Sequence, residues 1–388
     1  MSVPQRFAGS REALQEAATA AVGLRDFGAA GEYATGLDRL LEALDTDGPR
    51  FAPGGREFVY GNLVGVLVSR LFAEHGFQQR PDAMGRPIVR PLIITGVPRT
   101  GTTALHKLLS MDDQFQGLEK WLTVFPMPRP PRERWEQDPL YRSVVDGLEA
   151  FFRSAPQMRA AHNIVAEDLD ECLEVLKQNF CSNNFGSTFR VPEYDRWWSR
   201  QSELASYRRL ASTMRLIGAD DARPWLLKNP GHIKELDALL QVFPDACVVQ
   251  THRDPVKALP SLCSVLQMAR AITEGENVQP AEIGARELEN WSRAGDAAMA
   301  VREHLPARQF LDVRHKDFHA DPLGVVRRIY DHFGFTLSAQ AEQRMQERIR
   351  ANPEGRFGEH RYTPEEFGLH PQQIRERFAT YMDRYGLR

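Results

Sequence analysis

The chain has 388 residues, 42% hydrophobic and 26% charged, with 28 glycines and 25 prolines. This is ordinary globular usage and excludes collagen-like, coiled-coil and disordered chains. Lysine and arginine total 49 against 52 acidic residues, and the resulting net charge of −3 and isoelectric point near 6.4 offer no footprint for nucleic acid or an anionic membrane surface. An anionic ligand must be caught by a local pocket.

Cys172, Cys181, Cys247 and Cys263 show no C-x-x-C spacing and read as buried thiols. The amino terminus, MSVPQRFAGSREALQEAATA, has no apolar segment behind its charges, and no run approaches the ~20 apolar residues of a membrane span. The expectation is a cytoplasmic, reducing location without a membrane span.

Residues 10–85 read as helical, with Phe58, Leu63, Val66, Leu67 and Leu71 at helical spacing and Gly76 where a C-terminal cap would stand. The predicted organisation is an N-terminal helical extension, 1–88, packed on an α/β domain, 89–388. At PLIITGVPRTGTTALHKLLS the apolar run of Leu92, Ile93 and Ile94 ends in a Gly/Pro turn and resumes as a helix, giving strand, loop, helix. Pro126, Pro128, Pro130 and Pro131 make 121–134 an irregular excursion. Residues 167–180 read as helix, and FRVPEYDRWW, 189–198, as a loop carrying aromatic side chains.

Three more strands are predicted at Trp225–Lys228, Ala246–Thr251 and Phe310–Val313, with a helix over about 233–243. Asp254-Pro255 and Asp321-Pro322 pair an N-cap with proline at the first helical position, and a last helix covers 371–385. Strands alternating with helices imply an α/β fold whose sheet is mostly parallel and flanked by helices.

Gly96-Val97-Pro98-Arg99-Thr100-Gly101-Thr102-Thr103 joins a buried strand to a helix, so backbone amides and a helix N-terminus converge as an anion cradle. The spacing is P-loop-like, G-x-x-x-x-G-K-[ST], but Thr102 occupies the lysine position, which disfavours nucleoside triphosphate hydrolysis. Arg99 instead sets a forked cation suited to bidentate contact with phosphate or sulfate.

GVPRTGTT after an apolar strand resembles the 5′-phosphosulfate loop of the sulfotransferases that use 3′-phosphoadenosine 5′-phosphosulfate. THRDPVKALPSLCSV resembles the family's second signature, an arginine at a strand end and a serine eight residues later that hold the 3′-phosphate; these are Arg253 and Ser261. The resemblance runs from about Pro91 to the C-terminus, and LLKNPGHIKELDALLQVFPDACVVQTHRDP and RYTPEEFGL look most like its broad bacterial branch. It implies donor binding by Arg99, Thr100, Gly101, Thr102, Thr103, Arg253 and Ser261. The cytosolic animal enzymes place tryptophan where this chain has Ala104, so the adenine platform must lie elsewhere. Their C-terminal Arg-Lys-Gly clamp is absent, and Arg356, His360 and Arg361 of EGRFGEHRY are the candidate substitutes.

Sulfuryl transfer to a hydroxyl needs a base for the hydroxyl proton and cations for the leaving phosphate. Lys228 matches the family lysine at the bridging oxygen; at the end of an apolar strand it needs an anionic partner or water. Glu119 resembles the catalytic glutamate of some branches, the alternative being a solvated glutamate beside Lys120. His232 is the second candidate base, since the cytosolic branch has its histidine two residues, not four, after the lysine. His162 borders acidic residues, and His106 reads as a helix-packing residue. No sequence pattern indicates a metal site.

Phe180, Phe185, Phe189, Tyr194, Trp197 and Trp198 suit either an acceptor pocket for a lipophilic or aromatic alcohol, packing of the helical extension, or a homodimer contact. The expected activity is sulfuryl transfer to a small-molecule or glycolipid hydroxyl. The alternatives are a degenerate P-loop kinase and a nucleotide-binding protein without catalysis.

Overall fold

The computed structural model describes residues 3–46, 51–156, 159, 164–351 and 363–387. They form two compact units, one built from residues 1–87, 118–222 and 266–278 and the other from residues 88–117, 223–265 and 279–388.

The first unit is helical. Helices Arg11–Val22, Ala34–Thr46 and Gly55–Gln79 present Leu14, Leu37, Leu40, Leu41, Leu63 and Leu67 to a core closed by Phe180, Phe185, Phe189, Tyr194 and Trp198. Phe180 and Phe185 stack at 5.5 Å, and the Tyr194 hydroxyl donates to Phe180 O at 2.8 Å while accepting from Ser182 N at 3.0 Å. Packing against the N-terminal helices, one of the three roles these aromatics suited, is seen here. The third helix runs on past Gly76, whose Cα touches Leu216: a Cβ there would lie 2.3 Å from Leu216 Cδ2, so the glycine serves close packing and not capping.

Two further expectations change in this unit. Residues 167–180 are helical only over Leu173–Leu176 and a 3₁₀ turn, Lys177–Asn179, because Asp168 and Leu169 are taken into bridges with Lys120 and Glu119. Residues Pro192–Trp198 form a helix, started by proline at its first position. The proline-rich stretch is irregular as expected between a short helix, Lys120–Val124, and a 3₁₀ turn, Arg132–Gln137.

The second unit carries the sheet: β1 (Leu92–Gly96), β2 (Leu226–Lys228), β3 (Cys247–His252) and β4 (Phe310–Arg314), all parallel in the order β2-β1-β3-β4. β1 is buried along its whole length, as the centre of a helix-covered parallel sheet must be. The predicted 233–243 helix begins as a 3₁₀ turn, Pro230–Ile233, and the last helix breaks at Phe378. The chain leaves β1 toward β2 and leaves β3 toward β4, so the sheet order reverses between β1 and β3. That reversal opens the crevice at strand carboxyl ends where α/β sheets bind ligands.

Candidate active site

The loop after β1 lies in that crevice. Gly96 has φ 147°, and a Cβ on it would stand 2.4 Å from Thr251 O, so only glycine fits between the two strand ends. Thr100 Oγ1 donates to Val97 O at 2.7 Å and lies 2.6 Å from Thr251 Oγ1, tying the loop to β3. Gly101, φ 97°, caps the helix Thr102–Leu109 without a side chain to occupy its first-turn amides.

Arg99 is held at φ 67°, a region that costs a non-glycine residue about 1–3 kcal/mol and is kept where function requires it. Its Nε donates to Ser261 Oγ at 3.1 Å, and its carbonyl accepts from Arg253 Nη1 at 3.0 Å. Arg99, Arg253 and Ser261, read from two separate motifs, thus form one cluster.

β3 delivers Arg253 from a braced end. His252 bonds Tyr381 OH at 2.8 Å and Asp312 Oδ1 at 2.9 Å, while Arg302 grips both oxygens of Asp312 at 2.7 and 2.9 Å. Burial opposes ionisation of Asp312, but these bonds win and hold its carboxyl well below the usual range.

Lys228 ends β2, 2% exposed, with Nζ 3.3 Å from Thr103 Oγ1 in the first turn of the loop helix. Asn229 Oδ1 accepts from Gly231 N at 3.1 Å, fixing the 3₁₀ turn that carries His232. Burial first, then the charge of Lys228, pushes His232 down to about 3, so its ring is neutral near pH 7. His106, read from sequence as packing, is buried beside the same lysine; burial and Lys228 hold it well below its ordinary value, and its Nε2 has no hydrogen-bond partner among the described residues. The sequence reading also passed over Lys257 and His315, although His315 follows the carboxyl end of β4 directly, which the crevice rule marks.

Glu119 lies in the first unit. It is 8% exposed, with Oε1 2.8 Å from Arg129 Nε, and Arg129 also reaches Asp221 at 3.1 Å. It is therefore no solvated glutamate. The neighbouring Lys120 turns to Asp170 at 3.0 Å and Glu174 at 3.1 Å; burial opposes its charge, but the two carboxylates outweigh this and raise it. His162, Arg356, His360 and Arg361 lie outside the described residues. Among the described residues no group of three or more His, Cys, Asp or Glu side chains is placed to hold a metal ion, and no helix is long and apolar enough to cross a membrane.

The sulfotransferase family model matches residues 91–339, the span that contains the loop, Lys228, Arg253 and Ser261. The chain belongs to the sulfotransferase family. Sulfotransferase STF1 from Mycobacterium tuberculosis has a matching structure, at TM-score 0.88 and 38% identity over 97% of this chain and 100% of that one. STF9 from Mycobacterium avium matches at TM-score 0.91 and 26% identity over 100% and 99%. A curated relative, the omega-hydroxy-beta-dihydromenaquinone-9 sulfotransferase Stf3 of Mycobacterium bovis, is 24% identical over 76% of this chain and 75% of its own length. The protein is a transferase enzyme, a sulfotransferase with the P-loop-like fold of that family.

Proposed function

We propose that this sulfotransferase takes its sulfuryl group from 3′-phosphoadenosine 5′-phosphosulfate and passes it to a hydroxyl of a lipophilic small molecule. The observation that carries the donor assignment is the cluster at the β1/β3 crevice: a loop with uncapped helix amides, joined through Arg99 to Arg253 and Ser261. Two separated anion sites on one ligand fit it, the 5′-phosphosulfate on the loop from Arg99 to Thr103 and the 3′-phosphate on Arg253 and Ser261. Arg356 and Arg361 are assigned to the donor as well, through the C-terminal segment that stands in for the family's clamp.

The donor supplies an activated sulfuryl group whose leaving group is a phosphate. Lys228, kept inside the site by Thr103, places its ammonium at the bridging oxygen and stabilises the charge developing there. Glu119 accepts the acceptor's hydroxyl proton, with Arg129 holding the carboxylate in place. His232 is the other candidate; protonating it would set an imidazolium beside the ammonium of Lys228, which disfavours it. The acceptor class is supported by the relative named for an omega-hydroxy menaquinone derivative, an alcohol on a long apolar chain.

Calorimetric titration with 3′-phosphoadenosine 5′-phosphate, beside ATP with Mg²⁺, tests the donor. Binding of the bisphosphate that weakens at least about tenfold in Arg253→Ala, with little binding of ATP, is expected for a lost charge-assisted phosphate contact. Binding of ATP alone overturns the assignment.

A further inference from the structure

The helix His315–Ala320 starts at the carboxyl end of β4 and sets His315 and His319 one turn apart. Their Nε2 atoms are 2.9 Å apart and their ring centroids 4.0 Å apart. At that distance one nitrogen must carry a hydrogen and the other a lone pair, so the two rings share a single N–H. The pair sits on the phosphate loop, since a Cβ built on Gly101 would lie 3.5 Å from His315 Cδ2.

Three cations and one imidazole act on His315. Arg99 comes from the loop, Arg253 from the end of β3 and Lys257 from the first turn of the helix Pro255–Glu274, with His319 on its own helix. No carboxylate of the described residues is among the charges acting on the ring; Asp317 on its own helix pairs with Arg314 at 2.9 Å, and Asp254 accepts from the amide of Val256 at 2.9 Å. Burial and then these cations push His315 down to about 3, so the ring stays neutral beside them. Two imidazoles at helical spacing also make half of a transition-metal site, but three cations around them oppose a divalent ion.

We propose that the His315–His319 pair is a proton-linked contact of the donor cradle: seating a phosphate dianion among Arg99, Arg253 and Lys257 offsets most of their charge, and His315 takes up a proton from solvent. Protonated, the His315 ring donates its Nε2–H to His319 and carries an Nδ1–H and a full positive charge next to the bound anion. Nucleotide affinity then falls as pH rises and the ring loses the proton it took up on binding.

Because the anion invoked is the donor proposed above, the experiment titrates the whole protein with 3′-phosphoadenosine 5′-phosphate at several pH values between about 5 and 8. Each titration is run in two buffers of different ionisation enthalpy, so that protons taken up are counted. Wild type is expected to bind with a net proton uptake that grows as the pH is lowered, and to weaken correspondingly as the pH rises. His315→Gln is expected to lose both the uptake and the pH dependence. His315→Lys, with a permanent charge, is expected to bind without uptake and to keep its affinity at the alkaline end. Melting curves of both variants confirm folding. Binding by wild type without proton uptake, or uptake unchanged in His315→Gln, overturns the role of the pair alone. Absence of bisphosphate binding at every pH overturns the donor assignment and this role with it.

Discussion

Arg99 and Ser261 are 162 positions apart in the chain, and a 3.1 Å Nε–Oγ hydrogen bond joins them across the crevice between β1 and β3. Arg99 makes that bond from a left-handed backbone at φ 67°. The residue is thus held against its conformational preference by a contact that prearranges its guanidinium.

Substitution at position 99 separates strain from binding. Arg99→Ala and Arg99→Gly both remove the Ser261 bond, but only glycine relieves the backbone. Arg99→Gly is therefore expected to be more stable than Arg99→Ala by about 1 kcal/mol, measured by denaturant unfolding. Both variants should bind 3′-phosphoadenosine 5′-phosphate at least about tenfold more weakly than wild type. Equal stability of the two variants would show that the φ of residue 99 relaxes once its side chain is gone.

Lys228 is expected to act on the transition state and not on donor affinity. Its ammonium sits at the end of β2 against Thr103, buried to 2% exposure. Lys228→Met should lower kcat by about 10²–10³, the usual effect of removing one group that stabilises developing charge, with bisphosphate affinity changed only a few-fold. Turnover at the wild-type level would remove the lysine from the chemistry.

The two buried histidines beside Lys228 make the protein acid-labile. His232 is down at about 3 and His106 well below its ordinary 6.5, each through burial first and the lysine's charge second. In the unfolded chain both titrate at their ordinary value. Below about pH 6.5 the unfolded state binds the more protons, so stability rises with pH there and is lost on acidification, by about 1.4 kcal/mol per pH unit for each histidine until its folded-state value is reached, which for His232 is about 3. Urea unfolding at pH 7, 6 and 5 reads this slope directly, and His232→Asn should make it shallower by about one proton.

The parts of the fold that rest on local rules were legible from sequence. Apolar runs leading into Gly/Pro turns marked β1 and β2, and Asp-Pro starts marked the helix after β3 and the helix Pro322–Phe333, because those signals lie within a few residues of the feature they specify. What failed depends on distant partners. Gly76 looks like a cap until Leu216 is beside it, and 167–180 looks helical until Glu119 and Lys120 take Leu169 and Asp168 into bridges. The clustering of Arg99, Arg253 and Ser261 was legible because two motifs each carry their own local geometry, whereas the assembly around His315 needs β4, the loop and β3 brought together before its charge environment exists.

The identity of the base is open to a paired substitution. Glu119 is anchored by Arg129 at 2.8 Å, and taking a proton would neutralise it. His232 is neutral beside Lys228, and taking a proton would create a second cation there, against the field that already depresses it. Glu119→Gln keeps the size and most hydrogen bonds of the side chain while removing its basicity, so it should lower kcat by about 10²–10⁴. His232→Asn should lose much less. The comparison is made by single-turnover transfer with the bisphosphate affinity of each variant measured alongside, since a misfolded cradle would weaken binding and a missing base would not. Arg129→Met then separates position from protonation: it should slow transfer while leaving some base function, giving a rate between wild type and Glu119→Gln. A fully active Glu119→Gln together with an inactive His232→Asn would transfer the role to the histidine. It would also mean that the bound donor's negative charge outweighs the lysine's repulsion at that ring.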